Sequence, residues 1–251
     1  GQSCDMRAIG ELSRRYGFRV IEDASHAIGA EYLSQKVGGC AHSDMVVLSF
    51  HPVKIMTTGE GGMLLTNDHA LAKRLRLLRT HGITRDPEQM TSPSEGPWYY
   101  QQIELGYNYR MTDLQAALGS SQLKRIGQFL QRRRDLVRRY QDRLRGLPLT
   151  TPVEDERGRS SWHLYAIQVD LEGGRQSRRS IFERMRAAGI LVNVHYIPVH
   201  LQPYYRKLGF KAGDFPASER FYERAISLPL YFDLTDADQD RVCAALREAL
   251  V

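Results

Sequence analysis

The alternation of short apolar runs with amphipathic helical patterns most restricts the fold of this chain. Three runs, RVIED, SDMVVLSF and GGMLLTND, are short and apolar enough to be strands. The segment DMRAIGELSRRYGF places Met6, Ile9 and Leu12 on one helical face and ends at Gly17, and HALAKRLRLLRTHG is a second helix that ends at Gly82. Strands that alternate with helices predict an α/β layer with a largely parallel sheet.

The rest of the chain predicts a second, smaller unit. The segment MTDLQAALGSSQLKRI begins a helix with Thr112 as its N-cap, and residues 146–161 have the composition of a linker. A strand (WHLYAIQVDL), a helix (SRRSIFERMRAAGI), a strand with a turn (LVNVHYIPVH) and a final helix capped by Thr235 follow. We therefore expect two domains, an α/β domain over 1–147 and an α+β domain over 148–251.

The formal charge of +6 over 251 residues comes largely from residues 123–145, LKRIGQFLQRRRDLVRRYQDRLR. Apolar residues recur there at helical spacing and arginines fill the other positions, which favours the solvated face of one long amphipathic helix over a nucleic-acid surface. A modest positive field would also suit a small substrate that carries phosphate. The three cysteines are widely separated and form no CxxC pair, and no apolar run is long enough to cross a membrane. These features predict a cytoplasmic protein with free thiols.

A lone lysine in SFHPVKIMTTGEGGMLLTND is the first candidate for chemistry. Lys54 lies between Val53 and Ile55, so partial burial is expected to lower its pKa and favour the neutral amine. A neutral amine is a nucleophile that forms Schiff bases with carbonyl compounds. The alternative is an ordinary surface lysine in a loop next to glycines.

An acid and a hydroxyl lie at the ends of the neighbouring predicted strands. Asp23 ends RVIED, where a carboxylate in an α/β sheet faces the ligand crevice, although a turn or helix-cap acid is an equal alternative. Ser49 ends SDMVVLSF and has a hydroxyl that can bind phosphate. A lysine, an acid and a phosphate ligand are what pyridoxal 5'-phosphate (PLP) requires, but none of these spacings is specific by itself.

The order of the motifs EDASHAIGA, SFHPVK, TTGEGGMLLTND and GYNYRMTDLQAALG resembles the DegT/DnrJ/EryC1/StrS family of PLP-dependent aminotransferases, which act on nucleotide-linked keto sugars. The resemblance runs over essentially the whole chain. It implies a fold type I PLP-dependent transferase, of the aspartate aminotransferase type. Family members carry a substantial segment before QSCDM, so we expect an N-terminally incomplete large domain followed by a small C-terminal α+β domain.

The resemblance also implies a role for each matching residue. Lys54 is expected to bond covalently to the cofactor and to move the proton, while Asp23 holds the pyridine nitrogen protonated. His26 takes the position that contacts the cofactor ring, and Ser49 the position that binds its phosphate. Asn108, in GYNYR, matches the residue that reaches the phosphate of the neighbouring subunit's cofactor, which implies a homodimer with shared active sites.

The substrate side is implied by VHYIP and the motifs around it. His195 and Tyr196 are expected to line the pocket for the sugar nucleotide. The motifs are similar to one branch, the UDP-4-amino-4,6-dideoxy-N-acetyl-β-L-altrosamine transaminases of pseudaminic acid synthesis. In that branch L-glutamate donates its amine to C4 of a UDP-linked 4-keto-6-deoxy sugar.

Four alternatives remain beside this reading. The first is another nucleotide-sugar aminotransferase, such as a perosamine-synthase-type enzyme. A sugar dehydratase of the same fold is disfavoured, because that branch typically has His at the position of Lys54. An inactive fragment that only dimerises, and a basic nucleic-acid-binding module, are the two readings in which the chain is not an enzyme.

Overall fold

The computed structural model describes residues 1–171 and 176–250, and these residues form two compact units. The first unit contains Gly1–Gly127 together with Glu156–Ser161. The second unit contains Gln128–Asp155 and the described residues from Trp162 onward. Within the described ranges, no helix combines the length and the apolar character that crossing a bilayer requires.

Single helices separate groups of strands in the first half of the chain, and helices dominate the second half. In chain order the elements are α1 (Met6–Tyr16), β1 (Ile21–Asp23), β2 (Glu31–Tyr32), β3 (Gln35–Lys36), β4 (Met45–Ser49), β5 (Gly62–Leu65), α2 (His69–Leu78), β6 (Ile83–Thr84), β7 (Gln101–Gln102), α3 (Asp113–Lys124), α4 (Ile126–Arg143), β8 (Leu149–Thr150), β9 (Gly158–Arg159), β10 (Tyr165–Val169), α5 (Arg178–Ala187), a 3-10 helix (Val199–Leu201), α6 (Pro203–Arg206), α7 (Pro216–Arg224), β11 (Ala225–Leu228) and α8 (Asp236–Leu250).

The sheet that carries the candidate residues has the order β1-β4-β5 and is mixed rather than largely parallel. β1 and β4 are parallel, with Asp23 opposite Val47, whereas β4 and β5 are antiparallel, with Ser49 opposite Gly62. Parallel neighbours require a long crossover, usually a helix. The chain between β4 and β5 forms no helix and turns straight back, so the second pair is antiparallel.

Local capping groups set the ends of the helices in the first unit. Gly17, at φ +73°, ends α1 in the left-handed conformation that the sequence predicted. Thr112 begins α3 through a capping box with Gln115, also as predicted. The predicted end of α2 at Gly82 is wrong, because the helix stops at Leu78. Gly82 lies in a turn where a Cβ atom would stand 1.9 Å from the carbonyl oxygen of Glu104, so tight packing requires glycine there.

The long helix expected over residues 123–145 is confirmed as α4 (Ile126–Arg143), and a break at Arg125 separates it from α3, to which residues 123–124 belong. The boundary between the compact units falls next to this break, between Gly127 and Gln128, and therefore earlier than the predicted 147/148. The reason is the apolar face of α4, whose Leu136, Val137 and Tyr140 are buried in the core of the second unit.

One arginine of α4 departs from the predicted solvated face. Arg133 is buried, and its Nη1 donates hydrogen bonds to the carbonyl oxygens of Trp162 (3.0 Å), His163 (3.2 Å) and Leu230 (3.0 Å). Burial lowers the pKa of this guanidinium to about 10. Arg133 therefore joins α4 to two other segments of the second unit.

The second unit is built around the antiparallel sheet β11-β10-β8, in which Tyr165 pairs with Leu228. The strand predicted in WHLYAIQVDL is β10, and Thr235 caps α8 by accepting from the backbone N–H of Asp238 at 3.0 Å. The predicted strand in LVNVHYIPVH is wrong, because that segment makes only an isolated bridge from Asn193 to Ser227.

The predicted linker over residues 146–161 contains two paired strands. β8 pairs with β10 in the second unit, and β9 pairs with β2 in the first, where Arg159 lies opposite Glu31. Strands of two residues carry no sequence periodicity, so only their distant partners define them.

Candidate functional site

Lys54 lies in the loop that connects β4 to β5. The loop is closed at its base, because the backbone N–H of Phe50 donates to Gly61 (2.9 Å) and that of Thr58 donates to Phe50 (3.0 Å). The backbone N–H of Lys54 donates to the carbonyl of His51 at 2.9 Å, and its side chain is half-buried. Burial lowers the pKa of the ammonium, and the negative charge of Asp23 opposes this shift. The amine is thus partly desolvated and within electrostatic reach of a carboxylate.

Gly61 and Gly62, after Lys54, are needed because the protein itself leaves no room for a side chain there. A Cβ atom at Gly61 would lie 2.3 Å from the Oγ1 of Thr58 and 2.9 Å from the terminal carbon of Met111. A Cβ atom at Gly62 would lie 2.9 Å from the carbonyl oxygen of Leu48. The absence of a Cβ atom at these two positions therefore lets the loop pass close to β4.

Asp23 is the last residue of β1 and lies one strand away from the residues that lead to Lys54. The pairing of Asp23 with Val47 places Ser49 two residues further along the parallel neighbour, so both side chains lie at the carboxyl ends of adjacent strands. The Oδ1 of Asp23 accepts from the hydroxyl of Ser25 at 2.5 Å and from its backbone N–H at 3.1 Å. These two bonds, then the charges of His26 and Lys54, lower the pKa of Asp23, which is therefore ionised at neutral pH.

Ser25 is a contributor that the sequence reasoning missed. Its hydrogen bond is the largest cause of the lowered pKa of Asp23. A serine two residues after an aspartate is the usual partner of a side-chain turn, so the spacing in EDASHA contained the signal.

Ser49 and His26 complete the group of candidates near Asp23. Ser49 is half-buried, and its Oγ accepts from the backbone N–H of His51 at 3.4 Å. His26 is also half-buried, and its carbonyl oxygen accepts from the hydroxyl of Ser161 at 2.9 Å. The charges of His26 and Lys54 therefore act on Asp23, and the register of β1 with β4 places Ser49 near it.

Asn108 belongs to the same unit but is held by other contacts. Its backbone forms an antiparallel bridge with Thr80, and its side chain is exposed. Nearby in the chain, the rings of Tyr107 and Tyr109 stack with their centroids 4.8 Å apart.

His195 and Tyr196 lie in the second unit. The Nδ1 of His195 is 2.8 Å from the Oγ of Ser227, and the rings of His195 and Tyr196 meet edge to face with centroids 4.5 Å apart. Tyr196 is 61% exposed, so most of its ring is accessible to another molecule. The two predicted substrate residues are therefore adjacent to each other, and Ser227 is a further contact that the sequence reasoning missed.

Residues 1–247 match the family described as DegT/DnrJ/EryC1/StrS aminotransferases. The chain is 42% identical over 250 residues to the uncharacterized protein MJ1066 of Methanocaldococcus jannaschii, and 41% identical over 251 residues to the spore coat polysaccharide biosynthesis protein SpsC of Bacillus subtilis. Each alignment covers 99% of this chain and 64% of the relative, so the chain spans just under two thirds of the length of these relatives.

Solved structures give the same result for the fold. Helicobacter pylori PseC, an aminotransferase of pseudoaminic acid biosynthesis, superposes with a TM-score of 0.89 at 29% identity, over 99% of this chain and 64% of PseC. The sugar aminotransferase Spr1654 of Streptococcus pneumoniae, in its PMP form, superposes with a TM-score of 0.87 at 30% identity, over 99% of this chain and 66% of Spr1654. These similarities confirm the predicted fold class, the α/β fold of type I PLP-dependent transferases.

Proposed function

The chain belongs to the DegT/DnrJ/EryC1/StrS aminotransferase family, and from this membership we propose that Lys54, Asp23 and Ser49 hold PLP in a sugar aminotransferase. The observation that carries the proposal is a half-buried lysine with a lowered pKa, coupled by charge to an ionised aspartate. Ser49, on the neighbouring strand end, adds a phosphate ligand. An amine, a carboxylate and a hydroxyl are the donor set that PLP requires.

Each side chain then has a defined task. Bound PLP supplies an electron sink that makes the α-proton of an amino acid acidic. The partly desolvated amine of Lys54 has an increased neutral fraction, so it can bond to the cofactor carbonyl and carry a proton. The ionised carboxylate of Asp23, held by Ser25, keeps a pyridine nitrogen protonated. His26 lies near enough to Asp23 to influence its pKa, which fits its proposed contact with the ring.

The proposed reaction transfers the amine of L-glutamate to a nucleotide-linked keto sugar. Two named sugar-pathway relatives support the sugar as the acceptor, SpsC at 41% identity and Spr1654 at 30%. The finer proposal is amination at C4 of a UDP-linked 4-keto-6-deoxy sugar in pseudaminic acid synthesis, which the similarity to PseC supports. The second candidate is another nucleotide-sugar aminotransferase, such as a perosamine-synthase-type enzyme, and the 41% identity to SpsC, a protein of spore coat polysaccharide biosynthesis, is compatible with a different sugar.

Reductive labelling tests the cofactor site directly. Borohydride treatment of the PLP-loaded protein, followed by peptide mapping, is expected to place a pyridoxyl group on Lys54. Lys54→Arg, which keeps the charge but cannot form this adduct, should remain unlabelled. A label on another lysine of the wild-type protein would refute the assignment.

The acceptor can be identified by product analysis. We expect glutamate-dependent amination of a UDP-linked 4-keto-6-deoxy-N-acetylhexosamine, seen by mass spectrometry and located at C4 by NMR. A GDP-linked 4-keto-6-deoxyhexose is the matched comparison. Preference for the GDP sugar would contradict the pseudaminic acid assignment and support the second candidate.

A homodimer with shared sites is proposed from the segment around Asn108. Four large apolar side chains near it in sequence are exposed: Leu105 (90%), Tyr107 (57%), Tyr109 (73%) and Leu114 (86%). Exposed apolar surface of this kind marks an interaction site. Mixing Lys54→Ala protein with Asn108→Ala protein should restore part of the activity, because one site of each mixed dimer is intact. Proven subunit exchange without recovery would contradict sharing.

A further inference from the structure

Among the residues that the structure describes, one pair of backbone hydrogen bonds attaches the segment around His195 to the edge of β11. The N–H of Ser227 donates to the carbonyl of Asn193 at 2.7 Å, and the N–H of Asn193 donates back to Ser227 at 3.3 Å. On its other side, Ser227 pairs with Ala166 of β10. The backbone of Ser227 is therefore fixed from both sides, and its side-chain position is fixed with it.

The side chain of Ser227 is buried and short, so it makes polar contact only with groups close to β11. Ser227 is 5% exposed, and all four residues of β11 are buried. Its Oγ lies 2.8 Å from the Nδ1 of His195, at the optimum for a hydrogen bond. The ring of Tyr196 also packs against the imidazole, with centroids 4.5 Å apart and planes nearly perpendicular.

We propose that Ser227 is the positioning residue for His195, and that its hydroxyl fixes the orientation of the imidazole and selects one neutral tautomer. A serine hydroxyl can donate to Nδ1 or accept from it, and the direction that its buried surroundings favour then determines which ring nitrogen carries the proton. The other nitrogen is then fixed as either a donor or an acceptor. The link to substrate rests on the proposed function, in which His195 lines the sugar-nucleotide pocket, whereas the link between Ser227 and the ring does not.

The first measurement is the tautomer of His195, from the ¹⁵N shifts of its ring nitrogens in the PLP-loaded protein above the pH of imidazolium formation. Wild type is expected to show one predominant tautomer, and Ser227→Ala a mixture of both. Ser227→Thr keeps the hydroxyl and should retain the wild-type tautomer. Tyr140→Phe is the matched control, because it removes another buried hydroxyl of this unit, which donates to Pro229 at 2.8 Å, without touching His195. An unchanged tautomer in folded Ser227→Ala overturns the proposal.

The second measurement is steady-state kinetics with the UDP-linked keto sugar. We expect Ser227→Ala to raise KM about three- to tenfold, the range of one hydrogen bond, with a smaller change in kcat. The half-reaction with glutamate should be unchanged. A changed tautomer with unchanged KM overturns the link to substrate. Absence of aminotransferase activity in wild type would refute the proposed function while the tautomer measurement still decides the role of Ser227. If Ser227→Ala does not fold, Ser227→Cys keeps a similar size, and its weakly hydrogen-bonding thiol should shift both readouts in the same direction by a smaller amount.

Discussion

The two units use their buried residues for different purposes. In the first unit the buried cluster beneath the candidate site consists mainly of small or medium side chains, such as Ala24, Ala27, Ala30 and Val46, and the polar groups lie at strand ends above it. In the second unit one continuous core of large side chains joins α4, α5 and α8 to β10 and β11. Two of its buried polar side chains bind backbone: Arg133 contacts three carbonyls, and the side-chain nitrogen of Gln239 donates to Leu136 at 2.7 Å. The difference teaches that the proposed cofactor residues and the large continuous core belong to separate parts of this chain, so a change in one part should leave the property of the other part intact.

The largest expected effect is on turnover in the first unit. Lys54→Ala removes the nucleophilic amine and is expected to lower the rate of the glutamate half-reaction by at least about a thousandfold, equivalent to about 4 kcal/mol. The free energy of unfolding should change by less than about 1 kcal/mol, because Lys54 is only half-buried. Lys36→Ala, at an exposed lysine of β3, is the control and should leave the rate unchanged. A comparable loss of rate in both variants would show that the effect is not specific to Lys54.

The converse change is a core truncation in the second unit. Leu136 is fully buried, so Leu136→Ala is expected to destabilise this unit by about 2–5 kcal/mol through lost burial and the cavity left behind. Hydrogen exchange at the amides of Tyr165 and Ile167 in β10 measures the effect. Val153→Ala, at a position 79% exposed, should cost less than about 0.5 kcal/mol. If borohydride labelling of Lys54 disappeared in folded Leu136→Ala protein, the cofactor site would depend on the core of the second unit.

A smaller effect is expected from the carboxylate of the site. Asp23→Asn removes the charge that would pair with a pyridinium, and a charge-assisted hydrogen bond of this kind contributes about 1.5–3 kcal/mol. Turnover should therefore fall about ten- to a hundredfold, while the exposed position of Asp23 leaves stability nearly unchanged. Asp113→Asn, at an exposed first-turn acid of α3, is the control. Near-normal turnover of the Asp23 variant would contradict the proposed role of this carboxylate.

The smallest effect concerns pH and the second unit. Glu219 accepts from the ring of His200 at 2.8 Å and from the N–H of Gly213 at 2.8 Å, and these bonds lower its pKa. A carboxyl whose pKa is lower in the folded state stabilises the fold above its unfolded pKa, and this contribution is lost as pH falls through the folded pKa. Glu219→Gln should therefore weaken the acid-induced loss of stability below about pH 4, measured by hydrogen exchange in α7. Glu223→Gln, on the same helix, is the control, and an equal change in both would exclude the His200 contact as the cause.

Much of the fold could be predicted because the signals are local. Gly17 ends α1, and Thr112 and Thr235 begin α3 and α8, since each cap is formed by residues within one turn. The break at Arg125 had no such signal, because arginine favours helices and the apolar face of α4 packs against residues distant in sequence. The two-residue strands β8 and β9 were missed for the same reason.

The candidate site likewise contains residues that the sequence could predict and a contact that it could not. Lys54, Asp23 and Ser49 follow apolar strands, and strand register was enough to bring Asp23 and Ser49 to the same edge of the sheet. The contact between His195 and Ser227 joins residues 32 positions apart, and no spacing rule connects them. Such contacts depend on how distant strands pair, which periodicity does not determine.

The pairing of β9 with β2 also has a consequence for biosynthesis. Arg159 lies opposite Glu31, and the chain between them includes Gln128–Asp155, which belongs to the other unit. On the ribosome, β2 therefore emerges long before the strand that completes its sheet, and one edge of β2 stays unpaired during that interval. Closing so long a loop is slow compared with a hairpin, since its entropy is lost before the contact forms. A nascent chain halted after Gly127 should thus expose this edge to chaperones, and release should come only once residues 158–159 have been synthesised.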